Sequence, residues 1–519
     1  MAVSSQFDIL ISGFGPTGAT LAALLGQRGF RVGVFDKHRD IYPLPRAVAL
    51  DHEVLRNFQR AGLEDVIGDV AAPYRTTLYK GADGQTIQQI ETVAEPYPLA
   101  WPPNMTFNQP ALEKALRQRV MALPNVDVLL EHEVISFRQN ADAICAQVRK
   151  ADSSLFESEG AFLIACDGAQ SPLRVMAGIG LEDMQFEQDW IVSDVIVRED
   201  ILQRLPQTNV QYCDPRRPTT FVVCPGAHRR WEFRLLPGES FTPDDNAMIR
   251  RLLKPWLGEG EGEIWRTASY RFAARMAERW RAGRLILAGD AAHQMPPFLG
   301  QGMCQGIRDA ANLDWKLARI VEGVSSPSLL DTYEAERKWH VRAVTKVAVG
   351  LGEIIGELDP HKAHDRDARL LAAQGGAVKA QVRQAFIPGI SQSALVAAGG
   401  IAGTVFPQPY VHSGGGRRRL DDLIGAQALL VLREAPAAAA ASALVAAAQC
   451  AGIHVMALTD GAAAAGVEVL DECDDVLAAW FTAHGGVAAL VRPDHYVFAT
   501  AAQIDKIMAM INDYRAALM

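Results

Sequence analysis

The chain has 519 residues, 49% of them apolar and 21% charged, with a formal net charge of −9. That length exceeds one ordinary core and sets a prior of about three domains. The acidic balance argues against nucleic acid as the main partner, since phosphate binding needs a basic face. The most membrane-like stretch, residues 437–448, falls short of the roughly 20 apolar residues of a spanning helix, so no membrane is expected either.

In chain order, residues 7–12 read as a short apolar strand, 13–18 as a glycine turn and 19–28 as a helix. Residues 31–35 form a second strand that ends at Asp36. This is a β-α-β unit with parallel strands. In Gly13-Phe14-Gly15-Pro16-Thr17-Gly18, only small residues let the backbone approach a pyrophosphate. The helix that follows offers free N–H groups and a positive dipole end. Asp36 stands where a carboxylate takes ribose hydroxyls. The unit therefore points to an adenine dinucleotide, either NAD or FAD.

Short polar and proline-containing pieces over residues 84–101 suggest an excursion into a second domain. Residues 185–273 alternate and are broken by Pro and Gly, as in an open sheet. Helical periodicity returns after Gln301. Residues 406–419, rich in Pro, Gly and Arg, read as a linker. Beyond them the order strand, helix, strand, helix, two strands, helix resembles a thioredoxin-like domain without its Cys-x-x-Cys. That domain is expected to be structural, with contacts in a homodimer as one role. The seven cysteines, at 145, 166, 213, 224, 304, 450 and 473, fit reduced thiols in a cytoplasmic protein, with no disulfide framework or metal site. The N-terminus has no basic start followed by a long apolar run, so no signal peptide is expected.

Two later motifs narrow the cofactor. Cys166-Asp167-Gly168-Ala169 follows an apolar strand and leads to Ser171 and Arg174. Gly289-Asp290-Ala291-Ala292-His293 ends another. Taken in order with the glycine turn, these resemble the class A flavoprotein aromatic hydroxylases of the para-hydroxybenzoate hydroxylase type. The runs at 213–218, 230–233 and 236–239 look most like 3-(3-hydroxyphenyl)propionate hydroxylases. The likeness covers about residues 5–350.

The resemblance, together with the element order beyond residue 350, implies an α/β fold in three parts. A Rossmann-like FAD-binding domain takes 1–75, 108–184 and 274–350, and a β-sheet substrate domain takes 76–107 and 185–273. A helical linker, 351–399, leads to the thioredoxin-like domain, 400–519. It further implies that Gly13, Gly15, Pro16 and Gly18 lie on the FAD pyrophosphate and Asp36 on the adenosine ribose. Arg46, Gln109 and Val134 match other FAD-holding positions, Asp167 a motif tied to pyrophosphate and nicotinamide, and Asp290 the acid on the ribityl chain. Pro297, Gly300, Gly302 and Met303 would bring a loop and a helix N-terminus against the isoalloxazine, where free N–H groups stabilise the reduced anion. Many relatives carry Asn where this chain has Cys304, which puts one side-chain hydrogen bond to the flavin in doubt.

The same resemblance implies the reaction. NADH or NADPH reduces FAD, O₂ adds at flavin C4a, and one oxygen passes to a small phenolic substrate, with 3-(3-hydroxyphenyl)propionate the first candidate. Only one nucleotide-binding turn is present, in keeping with a nicotinamide that visits without a domain of its own. The catalytic base is not legible; His52 and His293 are weak candidates. Tyr212, Arg216, Arg217 and Tyr270 are candidates for the substrate pocket, an arginine there suiting a substrate carboxylate. Three alternatives stay open: nitro or halogen displacement on another phenol, Baeyer–Villiger chemistry, and a non-catalytic flavin-binding protein.

Overall fold

Strands Ile9–Ser12, Val32–Asp36 and Phe162–Ala165 are buried at every residue. Continuous apolar strands of this kind belong inside a parallel sheet covered on both faces. The computed structural model describes residues 5–243, 245–390, 393–435, 438–458 and 466–519, and places these strands side by side. The six-stranded order is Arg281–Ala282, Leu285–Leu287, Phe162–Ala165, Ile9–Ser12, Val32–Asp36, Val126–Leu130. Only the first strand runs antiparallel to its neighbour. Helix Pro16–Gln27 packs against both Gln109–Met121 and Gly302–Val321.

A second, nine-stranded sheet is built on the long antiparallel pair Leu181–Val197 and Gly262–Ala277. It continues through His228–Arg234, Thr219–Val223, Asn209–Tyr212, Thr77–Lys80 and Thr86–Glu91. The excursion expected near residue 84 thus supplies two of its strands. The segment expected as a helical linker does hold helix Pro360–Ala373, but it also closes the sheet. Ala380–Val382 pairs parallel with Thr86–Glu91 and satisfies an edge that would otherwise stay open. Side chains alternate with period two on these strands. Val210, Phe221, Trp231 and Phe233 pack with helix Asn246–Leu253 in one core, and the opposite face looks toward the parallel sheet.

The C-terminal sheet has the order Glu468–Val469, Ile453–Ala457, Ala428–Leu432, Ala488–Val491, Val497–Ala501. The first three strands are parallel and the last two antiparallel, the thioredoxin-like arrangement that the element order suggests. Residues 406–419 are not a linker. Tyr410–Ser413 and Gly416–Arg419 pair as a hairpin, turning at Gly414 and Gly415 with φ of 60° and 79°, as a two-residue hairpin loop requires. The arginines that look solvated in sequence lie over rings instead: Arg417 is 3.7 Å from the Tyr410 centroid and Arg419 is 3.9 Å from that of Trp101.

Buried ion pairs join this domain to the parallel-sheet domain. Arg492 donates to both Glu336 oxygens at 2.8 Å and to Asp494. Lys316 meets the same Glu336 at 2.8 Å, and Arg56 holds Asp421 at 2.6 Å. These contacts lie within one chain, so the domain has a packing role that needs no partner subunit.

Candidate active site and cofactor groove

The glycine turn shows why glycine is needed. A Cβ on Gly13 (φ +101°) would come within 2.3 Å of the Cys166 carbonyl oxygen, and one on Gly18 within 2.1 Å of that of Gly13. A Cβ on Gly15 would meet nothing within 4 Å, so that backbone borders open space. Gly15 is also the N-cap of helix Pro16–Gln27 and supplies no side-chain cap. The first N–H groups of that helix are therefore free, the ordinary ground for anion binding. The Asp36 carboxylate accepts from Phe14 N and from His38 N, both at 2.8 Å, which ties the end of the second strand to the turn.

Gln109 acts on the backbone. Its Oε1 accepts from Arg46 N at 3.0 Å and Ala47 N at 2.7 Å. From the other side, Arg230 donates to the Arg46 and Pro45 carbonyls at 2.7 and 3.0 Å, and Arg266 to that of Pro45 at 2.6 Å. Asp194 holds both arginines, Arg230 at 2.8 Å and Arg266 at 3.4 Å. Residues 45–47 are thus clamped by both domains, with the Arg46 guanidinium over the Tyr42 ring. Val134 is buried where strand Glu133–Gln139 shifts register before Ser136.

Asp167 takes Leu173 N on Oδ2 at 3.3 Å, while its Oδ1 is buried with no partner among the described residues. Burial pushes its carboxyl above the usual range, and an unfilled buried acceptor is costly unless a ligand fills it. Burial around the Asp290 carboxyl pushes it up, yet the residue keeps exposed surface. The 3₁₀ turn Pro297–Leu299 ends at Gly300, left-handed at φ 62°, and helix Gly302–Val321 starts without a side-chain cap. The Cys304 thiol lies near the Ala49 and Gly300 carbonyls and is pushed up to about 12 by burial, which makes it an inert core residue.

Against this loop the large sheet leaves a cavity of 260 Å³, lined by Arg46, Gly300, Gly302 and Met303 on one side and by Val192, Tyr270 and Phe272 on the other. Of the four substrate candidates only Tyr270 lines it, bonded to Arg266. Tyr212 is turned away by the strand's alternation and packs on Trp256 at 5.6 Å. Arg216 is bound to Asp214 at 2.7 Å in solvent, and Arg217 to Glu239 at 2.6 Å. The two histidines do not line it either. His293 is buried against Asp309 at 2.7 Å and the Trp280 ring. Burial lowers His52 to about 4, against the pull of Asp51, so it stays neutral at working pH.

The cavity holds residues that sequence reasoning missed: Asn209, Gln211, Thr220, Glu232 and Arg383. Arg383 comes from the segment expected as linker. It donates to Asn104 Oδ1 at 2.6 Å and to the Leu299 carbonyl at 2.5 Å. No carboxylate pairs with it among the described residues. Strict period-two counting along Asn209–Tyr212 would have favoured Gln211 over Tyr212, had the covered face been known.

A family model described as FAD binding domain matches residues 6–348. The chain belongs to this family of FAD-dependent aromatic hydroxylases. A second model, described as HcaD C-terminal domain, matches residues 403–517. A probable NADH-specific resorcinol 4-hydroxylase of Rhodococcus jostii is 34% identical, over 98% of this chain and 95% of that protein. A 3-(3-hydroxy-phenyl)propionate/3-hydroxycinnamic acid hydroxylase of Burkholderia vietnamiensis is also 34% identical, over 97% and 94%. In fold, the chain is similar to the flavin-dependent monooxygenase PieE (TM-score 0.82, 20% identity, all of both chains). It is also similar to aklavinone-11 hydroxylase (TM-score 0.78, 23% identity, all of both chains). This flavoprotein is an FAD-dependent, NAD(P)H-consuming aromatic monooxygenase. Its groove suits FAD: open backbone at Gly15, a free helix N-terminus, an unfilled Asp167 oxygen and an exposed Asp290. No helix among the described residues is long and apolar enough to cross a membrane.

Proposed function

We propose that this flavoprotein hydroxylates a meta-hydroxylated phenylpropionate, with 3-(3-hydroxyphenyl)propionate first, at the ring carbon next to the hydroxyl, giving a catechol. FAD, when bound, supplies the electrons taken from reduced nicotinamide and the activation of O₂. Gly13, Gly15, Pro16 and Gly18 hold its pyrophosphate, with Asp167 behind them, and Asp36 its ribose. Arg46 and Gln109 are further positions that hold FAD, the Val134 backbone meets the adenine, and Asp290 takes the ribityl chain. Pro297, Gly300, Gly302 and Met303 carry the isoalloxazine, and the uncapped N–H groups at Gly302 and Met303 stabilise negative charge there.

The observation that carries the choice of substrate is Arg383. A guanidinium has five N–H donors, and among the described residues Arg383 makes only two bonds, both to neutral oxygens. A cation with no carboxylate in direct contact among the described residues, and only the more distant pull of Asp51, suits the carboxylate of a phenylpropionate. It gives no advantage to resorcinol, which has no carboxylate. Val192, Phe272 and Phe298 line the rest of the pocket and exclude water from the reacting ring. The test compares KM for the acid, for its methyl ester and for resorcinol. The acid is expected to have the lowest KM, and equal values would remove this argument. All seven cysteines are free thiols, which supports a reducing, cytoplasmic setting.

A further inference from the structure

Five residues on the cavity face of the large sheet stand in one transverse row. Tyr79 pairs with Gln211, Gln211 with Thr220, Thr220 with Glu232, and Glu232 with Val192. All five line the cavity. Within the row Thr220 Oγ1 donates to Gln211 Oε1 at 2.5 Å. Glu232 is different. It is buried, and its carboxylate accepts no hydrogen bond among the described residues. Its nearest cation, Arg230 Nη1, is 3.8 Å away, beyond hydrogen-bond range. The reason is that Arg230 already donates to Asp194, Pro45 and Arg46. Glu232 therefore has its charge balanced nearby and its lone pairs unfilled, on the wall of the pocket that receives the phenol. Unpaired oxygens that open on the cavity are free to accept from a hydroxyl of the ligand.

We propose that Glu232 is the catalytic base that binds the substrate's phenolic hydroxyl and takes its proton. This rests on the phenol-hydroxylase reading above. The phenolic O–H bond breaks and an O–H bond forms on the Glu232 carboxylate. The electron pair left on the phenolate oxygen raises density at the neighbouring ring carbon, where the new C–O bond is made with one atom of O₂. The O–O bond breaks, the second atom leaves as water, and the reduced nicotinamide that the monooxygenase activity consumes supplies the two electrons. The ring oxygen is then a ketone. Loss of the proton from the newly bonded carbon to water restores the aromatic ring, and Glu232 returns its proton to the ring oxygen. With Arg383 on the carboxylate and Glu232 on the hydroxyl, the two ends of the substrate are fixed.

Three charged groups act on this carboxylate: Arg230 on its own strand, Asp194 on Leu181–Val197, and Arg266 on Gly262–Ala277. Burial pushes Glu232 above the usual range, Arg230 and Arg266 draw it down, and Asp194 adds to the rise. A base with a raised pKa is better matched to a phenol.

The test uses FAD-loaded wild type, Glu232→Gln and Glu232→Asp, with 3-(3-hydroxyphenyl)propionate and its methyl ether as probes. Glu232→Gln is expected to keep FAD and reduction by NADH, to lose about 10²–10⁴-fold in hydroxylation kcat, and to divert reduced flavin to hydrogen peroxide. The acid limb of the wild-type pH–kcat profile should vanish in Glu232→Gln and return in Glu232→Asp. Wild type should bind the phenol about tenfold or more tightly than the methyl ether, read from the flavin absorbance change. A Glu232→Gln enzyme within about threefold of wild type in kcat, with the acid limb intact, overturns the assignment. So does equal wild-type affinity for phenol and ether, a result that does not depend on any variant folding. A wild type that hydroxylates no phenol overturns both this inference and the reading beneath it. Hydroxylation by the wild type with an unchanged Glu232→Gln overturns this one alone.

Discussion

Tyr496 of the C-terminal domain donates its hydroxyl to Glu53 of the FAD-binding domain at 2.6 Å, and both side chains are buried. From Glu53 the bonds continue to the cavity loop. Arg308 spans Glu53 at 2.6 Å and Asp51 at 2.7 Å, and Gln301 donates to Asp51 at 2.9 Å. Gln301 is the residue just before the helix that opens at Gly302. The C-terminal domain is thus bonded, through five side chains from Tyr496 to Gln301, to the loop proposed to carry the flavin.

Arg492→Ala should cost about 3–5 kcal/mol, because it leaves Glu336 and Asp494 buried without their guanidinium. Tyr496→Phe removes one donor to a buried carboxylate and should cost about 1.5–3 kcal/mol. Urea unfolding of the FAD-loaded protein measures both. Cys450→Ser with Cys473→Ser should leave turnover near wild type, since Cys450 is exposed and neither thiol lies at the cavity. A large loss of hydroxylation in that double variant would assign the domain a redox role.

Acid should unfold the protein in a definite window. Burial alone would raise Asp194, but Arg230 and His228 overcome it and hold it at about 2, against an ordinary 3.8. Asp421 is likewise lowered to about 2, with Arg56 and His495 outweighing burial. Carboxylates depressed in the folded state contribute stability that is fully present above the unfolded value and lost as pH falls through the folded one. The urea midpoint is therefore expected to drop between pH 3.8 and about 2, and Asp194→Asn to start lower with a shallower fall. A midpoint insensitive to pH across that window would contradict the ion-pair account.

Asp290→Ala should weaken FAD binding roughly tenfold or more, as the loss of a hydrogen bond to a charged group costs about 1.5–3 kcal/mol. Wild type should be yellow, and acid precipitation should release the flavin as intact FAD. Gel filtration of the variant with its flavin fully retained and its affinity unchanged would free Asp290 from this role.

Arg383→Gln should raise KM for 3-(3-hydroxyphenyl)propionate by roughly tenfold or more and leave resorcinol nearly unaffected. Arg216→Ala and Arg217→Ala should change neither, because both arginines are engaged away from the cavity. The opposite pattern would return the carboxylate site to the stretch at 213–218.

The β-α-β unit was legible because its signals are local: buried apolar strands, glycines where a Cβ would strike Cys166 or Gly13, and a carboxylate at the end of the next strand. The C-terminal topology was legible from the order of its elements. The hairpin at 410–419 was not, because a Pro/Gly/Arg run looks solvated until Tyr410 and Trp101 are seen beneath its arginines. Tyr212 and Gln211 differ by one residue, and which of them faces the pocket depends on where helix Asn246–Leu253 packs. That is a tertiary fact. Arg383 follows no motif and reaches the cavity only because Ala380–Val382 completes the large sheet. Glu232 lies inside the run 230–233 on which the resemblance was read, but its unfilled lone pairs depend on Arg230 being occupied elsewhere.

The most direct test of the central claim is NADH or NADPH oxidation by the FAD-loaded protein, with 3-(3-hydroxyphenyl)propionate present or absent and the product followed by mass spectrometry. Substrate is expected to accelerate oxidation and to yield a catechol one oxygen atom heavier. No acceleration by any phenol, or a product formed by loss of a nitro or halogen group or by insertion of oxygen beside a ketone, would contradict the account.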